Sequence, residues 1–258
     1  MTVTVVTGAS SGIGRSLALR LASSGDPVAV LARRVGLLDE LVAEIEARGG
    51  QALAVPCDVT DREAVQRAMA RIEAALGPIE RLVANAGGGE PTDSAHFSCE
   101  QLSDIVSLNL MGVAHCVEAV LPGMLARQNG HLVAVSSLAA YRGLPGAGGY
   151  SAAKAALTNL MESLRMDLRP HGIDVTVLLP GFVRTKVGAG KAKRRKPFRL
   201  NLEDATARME RAIRARRGRY AFPISLAAAA RLATCLPAPL FDRLLAGRGR
   251  EPKRVAQT

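Results

Sequence analysis

The chain has 258 residues, of which 48% are hydrophobic and 22% are charged, and its formal net charge is +11 at pH 7. This length and composition exclude a wholly disordered chain and suit one large or two small globular domains with a substantial core. Because aromatic residues make up only 3% and tryptophan is absent, we expect a core of alanine, leucine and valine.

The charge is distributed unevenly. Residues 184–258 hold 20 Lys/Arg and 5 Asp/Glu, a net charge of +15, which leaves −4 for residues 1–183. The basic character therefore belongs to the C-terminal part of the sequence.

The sequence predicts a cytoplasmic protein without a metal site. Its N-terminus, MTVTVVTGASSGIG, lacks the basic region of a secretory signal, and no apolar run approaches the ~18 residues of a membrane span. The scattered cysteines and histidines show no metal-ligand spacing, and we expect the cysteines to be buried, reduced thiols. These residues are Cys57, Cys99, Cys116, Cys235, His96, His115, His131 and His171.

Six short apolar runs alternate with helical patterns. They occupy residues 3–8, 27–32, 52–56, 81–87, 131–137 and 174–181. These runs are typical of buried parallel strands, and their alternation with helices predicts an α/β, doubly wound parallel sheet covered by helices on both faces. In such a sheet, ligands bind beyond the carboxyl ends of the strands.

The helical pattern is clearest in residues 60–76. Thr60 and Glu63 predict a capping box at its start. Apolar residues then follow a 3.6-residue period at Ala64, Val65, Ala68, Met69, Ile72 and Leu76.

The first strand ends in the glycine-rich turn TGASSGIG. Gly8, Gly12 and Gly14 allow a sharp turn and a close approach to a pyrophosphate at the N-terminus of the next helix. A plain strand-to-helix turn is the alternative. The candidate cofactor residues in this turn also include Ser10, Ser11 and Ile13.

The second strand end bears on the choice of dinucleotide. An NAD site would place a carboxylate at this point, whereas this chain has Arg33 and Arg34, which could pair with the 2′-phosphate of NADP. The alternative is that both arginines are simply solvated at the start of a helix.

Two further strand ends carry candidate cofactor residues. Asp58, followed by Val59, could accept a hydrogen bond from an adenine amino group, or could only belong to a helix start. The small residues of Asn85, Ala86 and Gly87 would let a cofactor lie close to the backbone.

Tyr150 and Lys154 lie four positions apart in YSAAK, on one face of a predicted helix. A nearby ammonium lowers the pKa of a phenol, so this tyrosine could act as a general acid or base while a hydride moves between carbon and nicotinamide. Ser137, at the preceding strand end, is the natural second hydrogen-bond donor. A surface or packing contact is the alternative for the pair.

Taken together, these motifs resemble those of the short-chain dehydrogenase/reductase family, over residues 3 to about 187. The family order is matched by TGASSGIG, NAG at 85–87, Asn109 in SLNLMG, Ser137 in VSSLAA, YSAAK, and PGFVRT at 180–185. The resemblance implies a Rossmann fold that forms a single domain over 1–258, with a helical C-terminal extension over the substrate site.

The resemblance also implies a role for each matching residue. Tyr150 would donate or accept the proton, Lys154 would lower its pKa and hold the nicotinamide ribose, and Ser137 would orient the substrate oxygen. Asn109 would position a water that links Lys154 to a proton relay. The nicotinamide would be lined by Pro180, Gly181, Val183 and Thr185.

The resemblance favours NADP(H) because of the arginines after the second strand. No basic residue precedes Gly12, so NAD(H) is not excluded. The implied substrate is a small carbonyl or alcohol compound, and the apolar residues expected around it, within 88–97, 138–148 and 187–200, predict a hydrophobic one.

The C-terminal part has several possible roles. Residues 184–222 are interpreted as a substrate flap and helix, and 247–258 as a basic, disordered tail. Residues 223–246 are interpreted as two apolar helices (224–236 and 239–246), which either pack in the core or a dimer or lie in a membrane interface. Between 184 and 199 there are eight Lys/Arg and no acidic residue, which suits a solvated flap, a docking surface for an acidic substrate carrier, or a peripheral membrane contact. The missing interleaved aromatics argue against nucleic acid.

The sequence thus predicts an NADP(H)-dependent oxidoreductase, acting as a homodimer or homotetramer. The alternative is a non-catalytic, nucleotide-binding regulatory or interaction protein on the same fold.

Overall fold

Seven parallel strands form one sheet in the computed structural model, which describes residues 2–184 and 199–245. Six of them confirm the predicted strands. The seventh, RYAF, was not predicted because it is four residues long and begins with an exposed arginine. The strands are β1 Val3–Thr7, β2 Val28–Ala32, β3 Ala52–Pro56, β4 Ile79–Ala84, β5 Gly130–Val135, β6 Ile173–Pro180 and β7 Arg219–Phe222.

Helices cover both faces of the sheet. In the described residues they are α1 Gly12–Ala22, α2 Val35–Ala47, α3 Arg62–Leu76, α4 Cys99–Val106, α5 Gly112–Arg127, α6 Gly148–Leu168, α7 Leu202–Arg214, α8 Ile224–Thr234 and α9 Ala238–Leu245. The π-helical segment Ser107–Met111 joins α4 to α5.

Two apolar cores lie on opposite faces of the sheet, because successive strand side chains alternate between the faces. Val5 and Leu82 belong to the core shared with α3, α5 and α6. Val6 and Val83 belong to the core shared with α1, α2 and α7. The strands are therefore buried on both sides, as their nearly continuous apolar runs predict.

The strand order β3-β2-β1-β4-β5-β6-β7 reverses direction at β1. Beyond the carboxyl ends of β1 and β4, the following segments separate to opposite faces and leave a crevice. This is the point at which open α/β sheets bind ligands.

The cap at the start of α3 differs from the predicted capping box. Asp61 is the N-cap, and its carboxylate accepts a hydrogen bond from Ala64 N at 2.9 Å. Thr60 instead donates from its backbone N and its hydroxyl to Asp58 Oδ1, at 3.0 and 2.8 Å. Thr60 therefore belongs to a local turn with Asp58 and does not cap α3.

The cysteines are only partly as expected. Cys57 and Cys116 are buried free thiols, and burial raises their pKa values to about 11 and about 12. Cys99 and Cys235 are exposed, so the prediction of burial is wrong for these two.

The helix Cys99–Arg127 corrects another expectation. It has 29 residues and is, among the residues the structure describes, the one helix long and apolar enough to pass for a membrane span. Its side chains Val113, Val117 and Met124 are buried in the core beside α3 and β4. Packing against the sheet accounts for its apolar composition.

The C-terminal helices lie close to their predicted positions, although α8 ends at Thr234 rather than at 236 and α9 runs one residue earlier than expected. The predicted tail, most of the flap, and Thr185 fall outside the described residues.

Candidate active site

The glycine-rich turn after β1 adopts a conformation that side chains would prevent. Gly8 and Gly12 have φ values of +65° and +56°, in the left-handed region that favours glycine. A Cβ on Gly8 would lie 2.8 Å from Ala86 Cα, and one on Gly14 would lie 2.5 Å from Gly8 O. The first N–H groups of α1 have no acceptor within the helix, so this tight turn favours an anionic group.

The turn is fixed to the end of β4 by a residue that was not predicted to be functional. The buried Thr7 hydroxyl accepts hydrogen bonds from the backbone N of Asn85 and of Ala86, both at 3.0 Å. Asn85 Nδ2 in turn donates to Thr7 O at 2.9 Å. The sequence signal for Thr7 is that it is a polar residue at the end of a buried strand.

The two arginines after β2 are placed differently. The Arg34 guanidinium donates to the hydroxyls of Ser10, at 2.7 Å, and Ser11, at 2.9 Å, so it lies over the glycine-rich turn. Arg33 is exposed, with Nη1 3.5 Å from Asp58 Oδ2. Partial burial would raise the pKa of Asp58, but the Thr60 hydrogen bonds and the Arg33 charge outweigh it and lower that pKa.

The Val59 side chain points away from the arginines after β2 and from the glycine-rich turn. A Cβ on Gly112 would lie 2.7 Å from Val59 Cγ2, so the valine packs against α5. Its carbonyl oxygen is 3.0 Å from His115 Nδ1.

Ser137 and Tyr150 meet at the opposite side of the crevice. Ser137 follows β5 and caps a short 3₁₀ turn, where its hydroxyl accepts from Ala139 N at 3.1 Å. The same hydroxyl is near the Tyr150 phenol on α6 and acts to lower the pKa of that phenol.

Lys154 lies one turn further along α6 and is almost completely buried. Its Nζ donates to Val135 O at 2.9 Å and is 5.8 Å from the centre of the Tyr150 ring. Burial lowers the pKa of this lysine to about 8. Ser136, which was not predicted, donates to Lys154 O at 3.0 Å and fixes α6 against the end of β5.

The pKa of Tyr150 shifts in the direction opposite to the one expected from a neighbouring lysine. Burial raises it, and the Ser137 hydrogen bond opposes that shift only in part. At neutral pH the phenol is therefore protonated, and it can donate a proton.

Asn109 is fully buried in the π-helical segment, where a wider turn replaces an ordinary helix interior. Its Oδ1 accepts from Gly88 N at 3.1 Å, and its Nδ2 donates to Gly88 O at 2.6 Å and Ile105 O at 2.9 Å. A Cβ on Gly87 would lie 2.8 Å from Asn109 Oδ1 and 3.1 Å from Lys154 Nζ. The loop after β4 thus brings Gly87 between these two side chains.

These segments enclose one crevice of about 360 Å³. Among the described residues that were predicted for the site, those outside its lining are Ser10, Gly14, Arg33, Arg34, Asp58, Val59 and Asn109. Val135 and Ser136 are lining residues that were not predicted, and Gly88 belongs to the range 88–97 predicted to surround the substrate. The predicted residues that line it are Gly8, Ser11, Gly12, Ile13, Asn85, Ala86, Gly87, Ser137, Tyr150, Lys154, Pro180, Gly181 and Val183.

A family model described as short chain dehydrogenase matches residues 2–196. The chain belongs to the short-chain dehydrogenase/reductase family. An uncharacterized oxidoreductase from Myxococcus xanthus (strain DK1622) is 42% identical over 238 residues, which are 92% of this chain and 94% of that protein.

Solved structures of dehydrogenases share the fold. An alcohol dehydrogenase from the archaeon Thermococcus sibiricus, complexed with 5-hydroxy-NADP, has a TM-score of 0.77 and 27% identity, covering 86% of this chain and 94% of its own. A 7α-hydroxysteroid dehydrogenase complexed with NADH and 7-oxo glycochenodeoxycholic acid has a TM-score of 0.79 and 25% identity, covering 85% and 91%.

As a short-chain dehydrogenase/reductase, the chain is an oxidoreductase with a fold that binds NAD or NADP. The crevice suits such a dinucleotide. Gly8, Gly12 and Gly87 line it without side chains, so a ligand can approach their backbone closely, and α1 offers unpaired N–H groups to a pyrophosphate. Tyr150 and Lys154 face the other end of the same crevice.

Proposed function

We propose that this protein is an NADP(H)-dependent reductase of hydrophobic carbonyl compounds, with Tyr150 as the general acid. The observation that carries the proposal is the meeting of Ser137, Tyr150 and Lys154 at the end of the crevice opposite the glycine-rich turn. A non-catalytic nucleotide-binding protein would have no need of this combination.

Tyr150 holds the proton that a carbonyl oxygen needs. Burial keeps the phenol protonated at neutral pH, and the Ser137 hydroxyl next to it supplies a second hydrogen bond to the same oxygen. The bound nicotinamide would supply the hydride in reduction, or accept it in the reverse direction. As the proton leaves, the buried Lys154 ammonium stabilises the phenolate that forms.

Asn109 and Ser136 hold in place the backbone segments around Lys154. The Asn109 amide spans Gly88 and Ile105, which fixes the loop after β4 beside Lys154. Ser136 holds the backbone of α6 at Lys154. The proposed water relay from Lys154 would begin in this region.

The preference for NADP(H) rests on the end of β2. No carboxylate follows this strand, and Arg34 lies over Ser10 and Ser11, where it could pair bidentately with a 2′-phosphate. Arg33, beside Asp58, adds a second positive charge. NAD(H) is the competing cofactor, since one related dehydrogenase is complexed with a derivative of NADP and another with NADH.

The hydrophobic substrate is supported by the surroundings of Gly181, which lines the crevice. A Cβ at this position would lie 2.9 Å from Leu226 Cδ2, 3.2 Å from Pro223 Cδ and 3.3 Å from Leu138 Cδ1. Apolar side chains therefore border the end of the crevice where the carbonyl would bind. A carrier-bound carbonyl is included in the same proposal.

We also propose a cytoplasmic, homodimeric or homotetrameric single-domain enzyme. Sedimentation velocity of the purified chain distinguishes these assemblies from a monomer.

The test is oxidation of NADPH by the purified protein in the presence of a panel of aldehydes and ketones that vary in chain length. We expect turnover that increases with chain length and falls about 100-fold in Ser137→Ala. Ser163→Ala, an exposed serine on α6, is the matched control and should change nothing. If the protein binds NADPH but reduces no member of the panel, the regulatory alternative replaces this proposal.

A further inference from the structure

The last two helices are attached to the rest of the chain by few buried side chains. Among the residues Ile224–Thr234 of α8, Ala227 is buried, and the half-buried Leu226 packs against the core. None of the described residues Ala238–Leu245 of α9 is buried. Because tertiary packing supplies most of the stability of a helix in a protein, this pair needs another attachment to keep a fixed position.

Arg142 provides such an attachment. It lies in the loop that connects β5 to α6, between Ser137 and Tyr150. Its Nη1 donates to Leu236 O at 2.8 Å and to Ala233 O, so the guanidinium binds the last turn of α8 and the linker to α9. The last carbonyl groups of a helix have no donor within the helix and carry partial negative charge, which makes a guanidinium a suitable cap.

The same guanidinium also contacts α9. It stacks over the Phe241 ring, 3.9 Å from the ring centre. Both side chains are partly buried, and a cation over an aromatic ring is attracted more strongly where water is partly excluded. One side chain of the β5–α6 loop therefore holds both helices.

The β5–α6 loop is itself held on two sides. Arg219 Cζ of β7 lies 5.0 Å from the centre of the Tyr141 ring, and Arg219 Nη1 donates to Glu162 Oε1 on α6 at 2.6 Å. On the other side, Thr92 N donates to Gly146 O at 3.1 Å, which joins the loop after β4 to the same loop. The backbone that bears the guanidinium is therefore fixed to both neighbouring parts of the molecule.

α8 extends from Arg142 to the crevice. Near the start of the helix, Leu226 approaches Gly181, because a Cβ at position 181 would lie 2.9 Å from Leu226 Cδ2. Gly181 and Tyr150 line the same crevice. Leu226 thus borders the end at which the carbonyl would bind, and Ala233, about two turns further along the helix, is bound by Arg142.

We infer that Arg142 is a positioning residue, which holds α8 so that Leu226 stays beside the carbonyl end of the crevice and contacts an apolar substrate. Arg142 lies outside the described lining of the crevice, so it acts through the helix. Its effect on turnover rests on the proposed function, whereas its effect on α8 and α9 does not. These helices lie beyond residues 2–196, which the family model matches, and Arg142 joins them to the matched part.

The first test compares Arg142→Met with the unmodified chain, using NADPH and the longest and shortest aldehydes of the panel that the unmodified chain reduces. KM for the long aldehyde should rise about tenfold as Leu226 moves, while KM for the short one and both kcat values stay within about twofold. Arg142→Lys keeps the charge and has donors for both carbonyls, so KM for the long aldehyde should stay within about threefold of the original value. Arg71→Met, at an exposed arginine on α3, is the matched control and should change neither KM.

The second test measures hydrogen exchange of the same chains with NADPH bound, and it needs no turnover. Amides in the last turn of α8 and in α9 should exchange about tenfold faster in Arg142→Met, because the charged hydrogen bonds that hold these helices are lost. Exchange in β5 should be the same in all variants.

Unchanged exchange in α8, or an unchanged KM for the long aldehyde, would overturn this inference. Equal losses with both aldehydes, or weaker NADPH binding by Arg142→Met, would also overturn it, since Arg142 would then only stabilise the fold. If the unmodified chain reduces no aldehyde, the proposed function fails, and the exchange rates in α8 and α9 alone decide whether Arg142 holds these helices.

Discussion

The strands of residues 1–183 and the last two helices of residues 184–258 differ in how far they bury their apolar side chains. In the first part, with a net charge of −4, the strands are buried on both faces and polar side chains collect at their carboxyl ends. In the second part, with a net charge of +15, α8 and α9 leave several large apolar side chains exposed. The first part encloses a crevice, whereas the second presents a surface.

The two parts also differ in how they relate to the family. The family model matches residues 2–196, which hold every lining residue of the crevice. The exposed leucines lie beyond that match. The reaction class follows from the first part.

Gly8→Ala should break the first part and leave the second intact. The left-handed φ of +65° and the 2.8 Å approach of a Cβ to Ala86 Cα leave no room for a methyl group. We expect NADPH affinity to fall about 100-fold, as measured by the quenching or enhancement of its fluorescence.

Gly36→Ala is the matched control for this substitution, because a Cβ there meets nothing within 4 Å. Equal NADPH affinities in the two variants would show that the turn after β1 does not hold the cofactor.

Lys154→Met should raise the free energy of unfolding at pH 7 while it abolishes turnover. In the unfolded chain this lysine has its ordinary pKa of 10.5, whereas in the folded chain its pKa is about 8. Below pH 8 both states are charged and the folded state carries the full cost of burying the ammonium. Between pH 8 and 10.5 the folded state binds fewer protons, so the contribution of Lys154 to the free energy of unfolding rises with pH.

The methionine variant should therefore have a free energy of unfolding about 2 kcal/mol higher than the unmodified chain at pH 7, after allowing for the lost bond to Val135 O. This gain should disappear as the pH approaches 10.5, and turnover should be lost at every pH. Urea titrations of both chains at several pH values measure the difference in their free energies of unfolding. A variant less stable than the unmodified chain at pH 7 would contradict the account of Lys154.

Arg34→Ala should sharpen the assignment of the cofactor. Loss of the guanidinium over Ser10 and Ser11 removes one charge-assisted contact to a 2′-phosphate, so the ratio of kcat/KM for NADPH to that for NADH should fall about tenfold. Arg67→Ala, an exposed arginine on α3, is the control. An unchanged ratio would mean that Arg34 does not select NADP.

The sequence allowed six of the seven strands to be predicted, because long apolar runs between helical patterns leave few alternatives. β7 was missed since RYAF is short and half-exposed. The position of Asn109 could not be derived from periodicity, because the π-helical turn that directs its amide to Gly88 depends on packing with the loop after β4.

The pKa values of the site residues could not be predicted from the sequence, because they depend on how deeply each side chain is buried. The spacing of Tyr150 and Lys154 was visible in the sequence, but the raised pKa of the phenol and the lowered pKa of the amine both arise from desolvation. Ser136 and Thr7 were also missed, because their hydrogen bonds hold backbone segments together and such bonds leave no motif in the sequence.

The most direct test of the proposed reaction is a single turnover by Tyr150→Phe loaded with NADPH and mixed with the best aldehyde of the panel. Removing the phenol proton should slow NADPH oxidation about 1,000-fold, while NADPH affinity stays within about twofold of that of the unmodified chain. Oxidation within tenfold of the original rate, with NADPH bound normally, would contradict the role of Tyr150 as the proton donor.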